Sequence, residues 1–113
     1  MKVVATEGYV RRVRRLLTPE ERSLAEAGII ARPEAWPVIA GTGGARKARI
    51  AFGGRGKRGG GRVIYFYSRS PELVALIDIY AKSAKEDLTH ADKKDIRAAI
   101  QEIRAAFGTY GTR

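Results

Sequence analysis

The chain has 113 residues, enough for one domain with a modest core, and its 44% hydrophobic content is too high for a disordered tail. It has no cysteine, which excludes disulfides and thiolate metal sites, and no apolar run near the roughly 18 residues of a membrane span. Lys and Arg number 22 against 12 Asp and Glu, a net charge of +10 that points to a polyanionic partner, and the expectation is a soluble cytoplasmic domain with no membrane partner.

In chain order, Val3–Ala5 reads as a short edge strand. Thr6 can cap a helix running to Leu17, because Tyr9, Val10, Val13, Leu16 and Leu17 recur at helical spacing. Arg11, Arg12, Arg14 and Arg15 fill its other face, which reads as solvated. TPEE then opens a second helix, with Thr18 as cap, Pro19 at the first helical position and Glu21 completing a capping box. That helix should fade near Gly28. Trp36, between Pro33 and Pro37, reads as a packing plug.

Three strands are predicted next. Ala45–Phe52 and Arg62–Ser68 are separated by GGRGKRGG, a long hairpin connection, and Leu73–Tyr80 is apolar on both parities, as a central strand should be. Thr89, with Asp92 three residues on, starts a last helix whose Ile96, Ala99, Ile100, Ile103 and Phe107 form one apolar stripe. The order β-α-α-β-β-β-α describes an α+β domain over residues 1–108: a small, mostly antiparallel four-stranded sheet with two N-terminal helices and one C-terminal helix. Residues 109–113 remain as a short tail.

The charge is segregated. Ala35 to Pro71 holds eight basic residues (Arg46, Lys47, Arg49, Arg55, Lys57, Arg58, Arg62 and Arg69) and no acidic one. Separation of this kind is the footprint of a nucleic-acid site. Strand parity refines it: Ala48, Ile50 and Phe52 make an apolar face, leaving Lys47 and Arg49 on the other. In the last strand Ala75, Ile77 and Ile79 read as core, so Asp78, Tyr80 and Lys82 share the opposite face. Lys47, Arg49, Tyr80 and Lys82 then line one open side of the sheet, with Asp78 the only carboxylate near them. Parity leaves Arg62 open, since both faces of its strand are mostly apolar.

Cations with a tyrosine suit stabilisation of the extra charge on a phosphorane, and a lysine crowded by cations can act as base. Phosphate binding without catalysis fits the same residues. His90 is the only histidine, so a two-histidine ribonuclease site is excluded. The basic half has no carboxylate cluster to hold Mg²⁺, and no Walker loop or other cofactor motif occurs, so neither a metal nor a cofactor is expected.

GTGGARKARIAF, GRGKRGGGRVIYFY and LIDIYAKSAKEDLT, in that order after the TPEE helix pair, resemble the RelE/HigB-type toxins of type II toxin–antitoxin modules, most of all the HigB-like branch. The resemblance spans Val3 to about Ile103. It implies a small RNase-like α+β fold, a helix-turn-helix antitoxin as partner, and metal-independent cleavage of ribosome-bound mRNA by attack of the ribose 2′-hydroxyl. Carried over by motif position, the catalytic residues are Lys47, Arg49, Arg62 and Lys82, with Tyr80 the nearest aromatic hydroxyl. Leu88 stands where some RelE members carry a tyrosine. Arg46, Arg55, Lys57, Arg58 and Arg69 are then expected to bind mRNA or rRNA. Two other readings share the resemblance: a ParE-like toxin that poisons DNA gyrase, and a non-catalytic RNA- or ribosome-binding module.

Overall fold

Two threonines interrupt the extended start of the chain and set the first two helices. The computed structural model describes residues 1–53 and 59–108. After β1 (Lys2–Ala5), the Thr6 hydroxyl accepts from the Tyr9 N–H (3.1 Å) and donates to the Ile77 carbonyl (2.7 Å), so the cap of α1 (Glu7–Leu16) also fastens it to the sheet. At α2 (Pro19–Ala31) the capping box forms: the Thr18 N–H donates to Glu21 (2.9 Å) and the Glu21 N–H to the Thr18 hydroxyl (3.1 Å). This helix runs a turn further than Gly28, because Ile29 is drawn into the core. The Tyr9 hydroxyl donates to Glu26 (2.8 Å), which also takes the Arg22 Nε–H (2.9 Å), locking the two helices together.

The glycines at 41–44 serve a turn. Gly41, Gly43 and Gly44 have φ of +81°, +78° and +118°, a region that side chains disfavour. Between them Thr42 is fully buried, its hydroxyl donating to the Ile39 carbonyl (2.7 Å) and accepting from the Ala45 N–H (3.0 Å). The chain leaves this turn as β2 (Ala45–Ile50), followed by β3 (Gly61–Arg69) and β4 (Glu72–Ala81). The last helix, α3 (His90–Phe107), has the expected capping box from Thr89 and Asp92 and stops at Gly108 with φ +68°.

The strands form one sheet in the order β1-β4-β3-β2. β1 lies parallel to β4 and the other two pairings are antiparallel, so the sheet is mixed. Both its faces are covered, which is why β3 and β4 are apolar on both parities. Tyr9, Val13, Leu17 and Ile29 of the N-terminal helices pack on Ala48, Ile50, Val63, Tyr65, Val74, Leu76 and Ile79. Ile96 and Ile100 of α3, with Leu88, pack on Ala45, Ile64, Phe66, Ala75, Ile77 and Tyr80. Each such fully buried large apolar side chain stabilises the fold by about 1.5–3 kcal/mol. Trp36 is half-buried against the first layer, as a plug should be.

One irregularity corrects the parity reading of β4. Ile64 lies opposite Asp78 but Tyr65 opposite Leu76, so Ile77 is an extra residue, a β-bulge. Beyond it the faces exchange. Ile79 joins the first layer, apart from Ala75 and Ile77, and Tyr80 joins the second. Asp78 is not beside the cations of β2; its carboxylate takes the Arg12 guanidinium of α1 (3.0 Å) and the Ile79 N–H (2.8 Å). Among the described residues, no helix is long and apolar enough to cross a membrane. Arg55, Lys57 and Arg58 of the expected hairpin connection lie outside the described residues, as does the tail at 109–113.

Candidate active site

The sheet register brings three of the expected residues into one row. Arg49 on β2 stands opposite Arg62 on β3, and Arg62 opposite Tyr80 on β4. Lys47, two residues before Arg49, shares its side of the sheet one step nearer α3. Arg62 has the parity of Ile64 and Phe66, which settles its orientation: it faces the α3 side. Lys82 follows the end of β4, where its N–H donates to the Gly60 carbonyl (3.1 Å).

Arg49 is exposed, while Arg62 is only 6% exposed. One Arg62 Nη1–H donates to the Gly61 carbonyl (3.0 Å). Gly61 permits the approach: a Cβ on it would stand 2.7 Å from the Phe52 ring and 2.9 Å from the Tyr80 carbonyl.

Tyr80 is also 6% exposed, and among the described residues its hydroxyl is the buried side-chain polar atom that has no hydrogen-bond partner. Burial pushes this phenol up to about 12, with the charge of Asp87 adding and that of Arg62 opposing. At neutral pH it is therefore a donor that keeps its proton. The Lys85 ammonium sits 5.3 Å from its ring centroid and pairs with Asp92 (2.9 Å).

Asp87 and Lys85 were not singled out from the sequence. Asp87 lies 40 residues from Lys47 in the chain, yet its carboxylate meets the Lys47 ammonium at 3.2 Å. The Leu88 N–H, Lys47 and, more weakly, Lys93 hold that carboxyl below the usual carboxylate range. The only hint in the sequence was the acidic pair in KEDLT just before the cap. The Lys82 ammonium donates to the Glu86 carbonyl (3.0 Å), and Leu88 is buried over the same face. The connection between β4 and α3 thus lies along the cationic row.

The remaining cations are elsewhere. Arg46 points to the other face, where its guanidinium donates to the carbonyls of Trp36 (2.6 Å) and Glu34 (3.3 Å) and pins the segment before β2. Arg69, at the far end of β3, pairs with Glu34 (2.8 Å).

The architecture is a small mixed sheet with helices on both faces and a row of cations at one strand end. Residues 1–108 match the family described as the RelE toxin of the RelE / RelB toxin–antitoxin system. The chain belongs to the RelE family of toxins, whose partners are antitoxins. Among solved structures it is similar to the free-state structure of an arginine-to-alanine double mutant of the E. coli toxin RelE. The TM-score is 0.57 at 16% identity, over 83% of this chain and 94% of that one. At this identity the likeness bears on the fold.

Proposed function

We propose that this toxin cleaves mRNA in the ribosome without a metal ion, and that it belongs to the HigB-like branch, with a helix-turn-helix antitoxin. The observation that carries the reading is the in-register row Arg49–Arg62–Tyr80, flanked by Lys47 and Lys82. Arg62 and Arg49 hold the non-bridging phosphate oxygens and stabilise the charge that grows there as the 2′-oxygen attacks. Tyr80, a donor with no partner among the described residues, pairs with the same phosphate group.

The proton of the 2′-hydroxyl passes to Asp87, the carboxylate beside the row. The 2′-oxygen–phosphorus bond forms, the bond from phosphorus to the 5′-oxygen breaks, and the Lys82 ammonium protonates the departing oxygen. Lys47, paired with Asp87, serves as a fixed positive charge. An ionised carboxylate is a weak base, so the substrate must be held in near-attack geometry, which the ribosome supplies.

The test is cleavage of a defined mRNA on purified ribosomes in the presence and absence of the toxin, with the product ends identified. A 2′,3′-cyclic phosphate or 3′-phosphate end, lost in Arg62→Met and in Asp87→Asn, supports the reading. A 5′-phosphate product, or cleavage unchanged in Asp87→Asn, contradicts the chemistry assigned here.

A further inference from the structure

Glu21 makes two bonds, and one of them has nothing to do with its helix. Its Oε1 accepts from the Thr18 N–H (2.9 Å) and closes the capping box of α2. Its Oε2 accepts from the Gly53 N–H (2.8 Å), 32 residues further along the chain. A capping box needs one acceptor here, and glutamate or glutamine supplies it. The bond to Gly53 needs a second acceptor oxygen, which glutamine lacks because the other end of its amide is a donor. The N–H groups of Thr18 and Gly53 hold this carboxyl below the usual carboxylate range, so both oxygens accept at neutral pH.

Gly53 sits just beyond the point where the ladder stops holding the chain. The pairing of β2 with β3 ends with Ile50 opposite Gly61, one step past Arg49 opposite Arg62. Gly53 has a φ of +59°, a conformation that side chains disfavour. Just before it, the Phe52 ring packs against the first layer and lies over Gly61, where an added Cβ would meet it at 2.7 Å. The Gly61 carbonyl accepts from Arg62 Nη1 (3.0 Å). A continuous set of contacts therefore runs from the first turn of α2 through Gly53, Phe52 and Gly61 to the buried guanidinium.

We infer that Glu21 is a positioning residue for the cationic row: by fixing Gly53 it holds the Phe52 ring on Gly61, and so sets where the Arg62 guanidinium stands. The inference rests on the reading of Arg62 as a group that holds phosphate, and extends it to a carboxylate on the other layer of the fold. The sign of the effect separates positioning from charge. Removing a carboxylate from a molecule that binds a polyanion strengthens binding through electrostatics alone, whereas removing a positioning group weakens it.

Affinity for a 2′-O-methyl oligonucleotide, which offers no free 2′-hydroxyl for cleavage, tests it in Glu21→Gln, Arg62→Met and the double variant. Glu21→Gln should weaken binding by about threefold or more in the wild-type background and have no effect once Arg62 is Met. In the same variant the Gly53 amide proton resonance should move upfield as its bond to the carboxylate is lost. Thr18→Ala removes the capping hydroxyl but leaves both Glu21 oxygens in place; it should lower the midpoint of unfolding and leave the affinity unchanged. Unchanged or tighter binding by Glu21→Gln, or a Gly53 resonance that does not move, overturns the inference. So does equal weakening in both backgrounds, since the effect would then bypass Arg62. An equal loss in Thr18→Ala also overturns it, because the stability of α2 would then account for the change. Equal affinity in the wild type and Arg62→Met would strike the reading of Arg62 itself, and the inference with it.

Discussion

Tyr80 is where this sequence departs most from what stability alone would select. A guanidinium and a phenolic hydroxyl are both placed in the layer under α3, and among the described residues the hydroxyl has no partner. Removing a buried, unsatisfied polar atom relieves a desolvation penalty of about 1–3 kcal/mol. Tyr80→Phe is therefore expected to raise the midpoint of chemical denaturation while lowering cleavage, and a fall in both would mean that the hydroxyl supports the fold. Arg62→Met, close in volume, should lower cleavage by about 10²-fold or more.

The titrating groups of the row fix its pH response. Asp87 is held below the usual carboxylate range and Tyr80 is pushed up to about 12. Asp87 is ionised and the Tyr80 hydroxyl protonated at every pH between, so neither group should bend the pH profile of cleavage on ribosomes over roughly pH 6–9. A rise across that window would assign the base to a lysine instead. Stability follows the same carboxyls. Asp87, Asp92 and Glu21 have folded values below their unfolded ones, so their contribution is present above the ordinary carboxylate range. It is lost as pH falls through the lowered values.

At the scale of elements, the glycines and the caps hold the site in shape. A Cβ at Gly61 meets backbone at 2.9 Å, and backbone cannot turn aside as a flexible side chain can. Gly61→Ala is expected to cost about 1–3 kcal/mol in equilibrium unfolding and to impair cleavage by displacing Arg62. Thr89→Ala removes a capping hydroxyl from α3 and should cost about 1 kcal/mol, with a smaller effect on cleavage. The capping boxes at Thr18 and Thr89 and the apolar stripe of α3 were legible in the sequence because they are local signals within one turn of chain. The bulge at Ile77 was not, because nothing in LVALIDIY marks an inserted residue. Asp78 was therefore read as a neighbour of the cations, although its carboxylate belongs to Arg12. Arg46 sits in the same basic run as Lys47, but one step along a strand reverses its face and gives it to two carbonyls. The approach of Asp87 to Lys47 depends on how the connection after β4 folds back, which composition does not encode.

For the whole molecule, the excess of charge determines how it meets its substrate. Contact with about five phosphates of a single strand implies a slope of about −3.5 for log affinity against log salt. Arg49→Ala should make that slope shallower by about one phosphate's share. A flat salt response would remove the cationic row from recognition.

The central claim is that the row Arg49–Arg62–Tyr80 cleaves RNA. Its most direct test is a map of transcript 5′ ends in cells expressing the wild-type chain, Arg62→Met or Tyr80→Phe, with DNA breaks scored in parallel. New ends at codon-phased positions with the wild type, lost in Arg62→Met and reduced in Tyr80→Phe, with intact DNA, are the expected result. Intact transcripts accompanied by double-strand DNA breaks would contradict it and assign the protein to gyrase poisoning instead.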